Sequence, residues 1–155
     1  MIDRTHGFTL IREFDATPAE LWDAWTNPDE AAAWWHPAGI TTLRESVRID
    51  ARVGGRYAYL MVNEATGDEY PTGGTYREIV EPERLVFTWG RPEDADDDTP
   101  LVTVTIEPVG GGRSRMVFDL RGAPGHPGDG NMYDGWASAF DDLLVPRLVA
   151  RRAGA

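Results

Sequence analysis

The sequence predicts one α+β domain in which an antiparallel sheet packs against a long C-terminal helix. Three observations carry this prediction. Segments of strand composition, joined by turns of a few residues, occupy the middle of the chain and are typical of an antiparallel meander. Near the C-terminus, apolar residues recur at three-and-four spacing, which predicts an amphipathic helix. Two short helices are predicted directly after the first strand, and this unusual order narrows the choice of fold.

Length and composition set limits on the domain and on its partners. The 155 residues suit a single domain over residues 1–155 with one core. The 15 basic and 26 acidic residues give a net charge of −11, which argues against nucleic acid and anionic membranes as partners. No cysteine is present, so thiolate chemistry is excluded. We expect a cytoplasmic protein without a cofactor, and we leave open whether it forms a homodimer.

The first strand and the two short helices have clear start and stop signals. Residues 8–14 have strand composition and end before Asp15-Ala16-Thr17-Pro18. Thr17 is suited to cap the following helix, and Glu20, three residues later, completes a capping box. The same kind of signal at Asn27-Pro28 predicts a second short helix that ends in Trp34-Trp35-His36-Pro37.

Six more strands and one long helix are predicted after these helices. The strands cover residues 41–50, 56–62, 70–80, 84–89, 101–106 and 114–121. The apolar stripe of the helix consists of Met132, Tyr133, Trp136, Phe140, Leu143, Leu144 and Leu148. Because Pro146 lies inside this stripe, we expect it to kink or shorten the helix, which is predicted over residues 132–145.

Short motifs follow one another in a specific order between residues 8 and 148. They read Arg12-Glu13-Phe14-Asp15-Ala16, Leu21-Trp22-Asp23-Ala24-Trp25-Thr26-Asn27-Pro28, Trp34-Trp35-His36-Pro37, Val53-Gly54-Gly55-Arg56-Tyr57, Gly74-Thr75-Tyr76-Arg77-Glu78, Pro82-Glu83-Arg84-Leu85-Val86-Phe87-Thr88-Trp89 and Gly135-Trp136. In these motifs the chain resembles the activator of heat-shock-protein-90 ATPase homologue family, a branch of the START-like (SRPBCC) superfamily. The resemblance implies a helix-grip fold: a curved antiparallel sheet of about six or seven strands, with the long C-terminal helix over its concave face enclosing a cavity.

Strand alternation identifies two candidate polar residues inside such a cavity. Arg12 shares a face of the first strand with Leu10 and Phe14, so its side chain is expected to point inward. Glu78 shares a face with Tyr76 under regular alternation and is the acceptor that we expect for Arg12, because a buried unpaired charge is costly. Three roles remain open for Arg12: an ion pair that fixes the sheet, a contact to the polar end of a ligand, or catalysis.

Aromatic and sulfur-containing side chains are the main candidates for the cavity wall. Tyr57, Tyr59 and Met61 alternate on one predicted strand and therefore share a face. Core packing and cavity lining both fit these residues, and a cavity lined by them suits a flat or ring-containing ligand. The candidate ligand-binding residues are Arg12, Trp35, Tyr57, Tyr59, Met61, Tyr76, Glu78, Trp89, Phe118, Trp136 and Phe140.

The sequence contains no recognisable catalytic or metal-binding motif. The Gly-x-Ser-x-Gly pattern, the phosphate-binding loop and the ligand spacing of zinc sites do not occur. His36 and His126 are the plausible general bases, and each also fits a solvated or structural role. Trp34, Trp35 and His36 fit either packing or gating at the cavity mouth. The acidic run at residues 93–98 is interpreted as a solvated hairpin tip.

Three functions are compatible with these features. The first is non-enzymatic binding of a small hydrophobic or aromatic ligand in the internal cavity. The second is a cyclase or dehydratase that uses Arg12, Glu78 and Tyr57 or Tyr59 as acid–base groups, which requires titratable side chains to converge in an open pocket. The third is a co-chaperone-like interaction module, which requires a contiguous exposed apolar patch.

Overall fold

One curved antiparallel sheet forms the body of the fold. The computed structural model describes residues 2–154, and within them eight strands pair in the order β1-β8-β7-β6-β5-β4-β2, with β3 also pairing with β4. The strands are β1 (Gly7–Phe14), β2 (Ile40–Thr42), β3 (Arg48–Ile49), β4 (Arg56–Asn63), β5 (Glu69–Val80), β6 (Arg84–Thr88), β7 (Leu101–Gly110) and β8 (Arg113–Arg121). The predicted meander and the helix-grip architecture are confirmed.

The two short helices begin where their capping residues predict. In α1 (Pro18–Thr26) the Thr17 hydroxyl accepts a hydrogen bond from the Glu20 amide, and the Glu20 carboxylate accepts one from the Thr17 amide. This reciprocal capping satisfies two donors that the first helical turn leaves unpaired. Asn27 caps α2 (Pro28–Trp34) in a similar way by accepting from the Asp29 amide. Local sequence therefore determines both helix starts.

The predicted strand at residues 41–50 is interrupted. It consists of β2 and β3, separated by a 3-10 turn at Arg44–Ser46. The Ser46 hydroxyl donates to the Leu43 carbonyl and accepts from the Leu60 amide, so a side chain replaces the backbone partners of a regular ladder. Because the turn divides one predicted strand into two, the sheet has eight strands, one more than the sequence predicts.

The C-terminal helix is longer than predicted. It comprises α3 (Met132–Ser138), a π-helical segment (Ala139–Leu144) and α4 (Val145–Gly154), so the prediction that it ends near residue 145 is wrong. In the wider π segment, the Val145 amide donates to the Phe140 carbonyl, five residues back. The widening comes directly before Pro146, which has no N–H to donate and would crowd a regular α-helix. The helix thus accommodates the proline instead of stopping at it.

An aromatic cluster joins the helices to the sheet. Trp25 of α1 lies at its centre, with its ring 4.6 Å from Trp34 and 6.3 Å from Phe140. Phe118 of β8 lies 4.6 Å from Trp136 and 5.2 Å from Phe140, which ties the C-terminal helix to the sheet. Aromatic pairs at such separations add stabilisation beyond the burial of their area. Among residues 2–154, no helix combines the length and the apolar character needed to cross a membrane.

Candidate ligand-binding cavity

Two adjoining chambers, which share part of their lining, lie between the C-terminal helix and the sheet. The outer chamber has a volume of about 170 Å³, whereas the inner chamber holds about 10 Å³ of free space. Four aromatic residues line both chambers: Trp35, Tyr59, Trp89 and Trp136. The outer chamber is further lined by His36, Pro37, Met61, Asn131, Met132, Gly135 and Ala139. The inner chamber is further lined by Trp25, Tyr57, Tyr76, Leu85 and Phe87.

Strand alternation on β4 positions the aromatic wall. Tyr57 and Tyr59 are buried on one face, and Met61 follows on that face at the half-buried mouth. Trp35, directly after α2, packs its ring 4.9 Å from Tyr59 and 5.8 Å from Tyr57. Trp136 of α3 closes the opposite side, 5.5 Å from Trp89. Seven of the predicted site residues thus line the cavity: Trp35, Tyr57, Tyr59, Met61, Tyr76, Trp89 and Trp136.

The tyrosine hydroxyls in the cavity are neutral groups. Burial raises the pKa of Tyr59 to about 12, and burial also raises the pKa values of Tyr57 and Tyr76. The Tyr57 hydroxyl donates to the Thr88 carbonyl at 2.6 Å, and the Tyr59 hydroxyl accepts from the Trp89 indole at 3.2 Å. These tyrosines contribute shape and hydrogen bonds, and their raised pKa values make them poor proton-transfer groups near neutral pH.

Two indole donors of the cavity wall have no partner in the protein. The Nε1 atoms of Trp35 and Trp136 are buried and make no hydrogen bond within the described chain. An unmet buried donor costs about 1–3 kcal/mol, and most buried polar groups in proteins are paired. Both residues line the outer chamber, and their unpaired Nε1 atoms are enclosed within its wall.

A glycine in the C-terminal helix leaves the outer chamber open. Gly135 is the fourth residue of α3 and lines the chamber, and a Cβ placed on it would meet no atom within 4 Å. Glycine inside a helix costs about 1 kcal/mol relative to alanine, and no packing contact here requires the smaller residue. Gly135 is not among the site residues predicted from the sequence, although a glycine beside the helix's apolar stripe is a detectable signal.

His36 also lines the outer chamber, and the predicted site set did not include it. Its Nδ1 lies 3.0 Å from the Thr42 hydroxyl, and burial lowers its pKa, which keeps the ring neutral at neutral pH. Trp34 has a different role from its neighbours, because it is fully buried and donates its indole N–H to the Ala24 carbonyl. Of the three residues predicted to pack or to gate the mouth, Trp34 therefore packs.

Two of the predicted polar residues lie away from the cavity lining, and the expected Arg12–Glu78 pair is not formed. Arg12 does share the inward face of β1, but its guanidinium binds Asp141 of the π segment, with Nε 2.8 Å from Oδ1. Glu78 instead pairs with Arg84 at 3.0 Å, and its side chain is 47% exposed. A β-bulge between Tyr76 and Glu78 reverses the alternation, so the two residues do not share a face.

Phe118 and Phe140 belong to the core and not to the cavity wall. Both side chains have no exposed surface, and neither lines either chamber. Their rings pack on Trp136, which does face the cavity, so they support the wall from behind. Alternation and helical periodicity correctly placed both residues inside, but these patterns do not distinguish a cavity wall from the layer beneath it.

The Arg12–Asp141 pair gives a test of this corrected geometry. We expect a double-mutant cycle on Arg12→Met and Asp141→Leu to give a coupling energy of about 0.5–1 kcal/mol, since the side chains are 28% and 49% exposed. Urea unfolding followed by circular dichroism measures the four free energies. The control cycle on Arg12→Met and Glu78→Leu should be additive, and coupling in the control alone would contradict the geometry.

Comparisons with known proteins identify relatives over most of the chain. Residues 15–145 match the family model described as Activator of Hsp90 ATPase homolog 1-like protein. A crystal structure from Chromobacterium violaceum is 28% identical with a TM-score of 0.78, and the match covers 92% of this chain and 97% of that chain. The AHSA1 protein from Silicibacter pomeroyi is 27% identical with a TM-score of 0.70, over 95% of this chain and 97% of that chain.

More distant similarity extends to a eukaryotic protein. The structure of an HSP90 activator from Plasmodium falciparum is 18% identical with a TM-score of 0.58, over 91% of this chain and 82% of that chain. At this identity the similarity concerns the fold alone. A comparison with curated proteins finds no match to the sequence.

Proposed function

We propose that this chain, which belongs to the family of Activator of Hsp90 ATPase homolog 1-like proteins, binds a small, largely apolar, ring-containing ligand in its cavity. The observation that carries the proposal is an open aromatic chamber of about 170 Å³ whose wall contains two unpaired indole donors. An apolar cavity of about 150 Å³ is large enough to admit benzene in another protein. The outer chamber is therefore large enough for a small ring compound.

Binding is favoured over catalysis by the character of the groups in the cavity. The enzyme alternative relies on Arg12, Glu78 and a tyrosine as acid–base groups. Arg12 and Glu78 pair with Asp141 and Arg84 outside the chambers, and burial raises the pKa of Tyr59 to about 12. Of the proposed acid–base set only the tyrosines remain at the cavity, and their hydroxyls stay protonated near neutral pH.

The interaction-module alternative has weaker support. The most exposed large apolar residues, Ile11, Val53 and Val149, belong to β1, to a loop and to α4, so they come from separate elements. Single exposed apolar side chains are ordinary on protein surfaces and do not mark a docking patch. The similarity to an HSP90 activator concerns the fold, and fold alone does not carry a partner across.

Charge and composition complete the proposal for partners and location. The net charge of −11 disfavours nucleic acid and anionic membranes as partners. A cytoplasmic location is part of the proposal, supported by the absence of cysteine and therefore of any disulfide. The partner that we propose is a small molecule.

Filling the outer chamber from Gly135 tests the proposal. Gly135→Leu should weaken the binding of naphthalene, a neutral two-ring probe, by about fivefold or more, because overpacking costs about 1–3 kcal/mol and about 1.4 kcal/mol corresponds to tenfold. Gly135→Ala is the matched control: it adds only a methyl group where no atom lies within 4 Å. Equilibrium dialysis measures the affinities, and urea unfolding measures the stabilities.

The control variant separates binding from folding. Both substitutions should raise the free energy of unfolding by about 1 kcal/mol, since alanine and leucine are better helix formers than glycine. Gly135→Ala should keep most of the naphthalene affinity. If wild-type protein fails to bind naphthalene, or if Gly135→Leu binds it as well as wild type does, the proposed cavity is not the binding site.

A further inference from the structure

The hydrogen bonds around His36 determine which of its ring nitrogens carries the proton. Nδ1 of His36 lies 3.0 Å from the Thr42 hydroxyl oxygen. The same hydroxyl lies 2.8 Å from the Trp35 carbonyl oxygen. A carbonyl oxygen only accepts hydrogen bonds, so the single hydroxyl proton of Thr42 is directed to Trp35. Thr42 can then only accept from His36, and Nδ1 must be the protonated nitrogen.

The opposite nitrogen is consequently an acceptor without a partner. In a neutral imidazole with the proton on Nδ1, Nε2 carries a lone pair. Burial lowers the pKa of His36 and outweighs the opposing charge of Glu64, so the neutral form prevails at neutral pH. No residue of the described chain forms a hydrogen bond with Nε2. His36 is 9% exposed and lines the outer chamber.

We propose that Nε2 of His36 accepts a hydrogen bond from a hydroxyl or N–H group of the bound ligand, so that His36 is a specificity-determining residue of the cavity. The proposal rests on the ligand binding proposed above and specifies the ligand's chemistry. The favoured class is a neutral ring compound that carries a donor, such as a phenol. Among the residues that line the two chambers none is acidic or basic apart from His36 itself, which agrees with a neutral ligand.

A phenolic hydroxyl suits the other unpaired groups of the same chamber as well. It has one proton to donate and two lone pairs to accept with. The indole donors that lack an acceptor belong to Trp35 and Trp136, two residues of the lining of this chamber. A hydroxyl is therefore the smallest ligand group that provides both a donor for His36 and an acceptor for an indole.

The test compares two probes, 2-naphthol and naphthalene, on wild-type protein and on His36→Asn. Asparagine can still donate to Thr42 from a position close to that of Nδ1, but it has no acceptor at the position of Nε2. We expect His36→Asn to weaken 2-naphthol binding by about three- to tenfold, the worth of one neutral hydrogen bond. Because His36 lines the chamber, naphthalene affinity will also change, but without the hydrogen-bond loss, so the ratio of 2-naphthol to naphthalene affinity should fall by about three- to tenfold.

The outcomes separate this proposal from the proposed function. Equal losses for both probes in His36→Asn, or no loss for either, would overturn the role of His36 and leave ligand binding intact. Failure of both probes to bind wild-type protein would overturn ligand binding itself.

Indole N–H resonances of Trp35 and Trp136 in nitrogen-15 NMR spectra provide the second readout. We expect 2-naphthol to shift at least one of them downfield relative to naphthalene, and identical shifts with both probes would contradict a hydroxyl at this position.

Discussion

Replacing Trp25 by alanine is expected to lower the free energy of unfolding by about 3–5 kcal/mol, the usual cost of deleting a large buried aromatic ring. Trp25 is 1% exposed and joins the helices to the sheet, with ring contacts to α2, to β8 and to the C-terminal helix. Its indole N–H also points to the Met116 sulfur at 3.4 Å. Urea unfolding followed by far-ultraviolet circular dichroism measures the loss.

Trp89→Ala is the matched control for this loss. Trp89 carries the same side chain but is only half-buried and lies at the cavity, directly after β6. Its removal enlarges a space that is already open, so we expect a loss of less than about 2 kcal/mol, because the cost of truncation rises with the cavity that it creates. Equal losses for the two variants would show that the core is not centred on Trp25.

The features predicted correctly from the sequence are those that neighbouring residues determine. The capping box formed by Thr17 and Glu20, three positions apart, marks the start of α1. The alternation of Tyr57 and Tyr59 on β4 correctly places both rings inside. The order of the elements and the motif resemblance together predicted the helix-grip fold, which the family match supports.

The features that were predicted wrongly depend on contacts between distant segments. The bulge after Tyr76 inserts one extra residue opposite β6, and no glycine or proline within it indicates this. The bulge places the Glu78 side chain on the face of the sheet opposite to that of Tyr76, so Glu78 does not pair with Arg12 as expected. Asp141, the actual partner of Arg12, follows it by 129 positions, so no local pattern relates the two.

The cavity mouth was harder to predict than the cavity wall. Gly135, Asn131 and Pro37 line it because α3, the loop before α3 and the segment after α2 meet there. None of these residues is part of the periodic apolar pattern by which core positions are recognised in a sequence. The tautomer of His36 likewise depends on Thr42, whose position follows from the fold of β2 against the helices.

An ion-pair network holds the C-terminal helix beyond Pro146. The carboxylate of Glu30 in α2 accepts hydrogen bonds from Nε and Nη2 of Arg147, at 3.1 and 2.9 Å. Nε of Arg151 lies 3.4 Å from Oε1 of Glu30, and its Nη2 lies 3.1 Å from Oδ2 of Asp23 in α1. Leu148, between these arginines, is 3% exposed and packs into the core. The network therefore explains why the helix continues after a proline that was expected to shorten it.

Removing the Glu30 carboxylate should consequently lower the free energy of unfolding, although by less than Trp25→Ala does. We expect Glu30→Ala to lower the free energy of unfolding by roughly 2–3 kcal/mol, less than the 3–5 kcal/mol of a fully buried pair. The expected loss is smaller because solvent screens the ion pairs: the side chains of Arg147 and Arg151 are 40% and 32% exposed, while that of Glu30 is 10% exposed.

Glu30→Gln is the matched control, because glutamine keeps the shape and one acceptor oxygen. Its loss of unfolding free energy should lie between zero and that of Glu30→Ala. Urea unfolding measures both variants, and amide hydrogen exchange in α4 should rise most in Glu30→Ala. A loss below about 0.5 kcal/mol, the range of ordinary surface substitutions, would show that α4 is held by Leu148 alone.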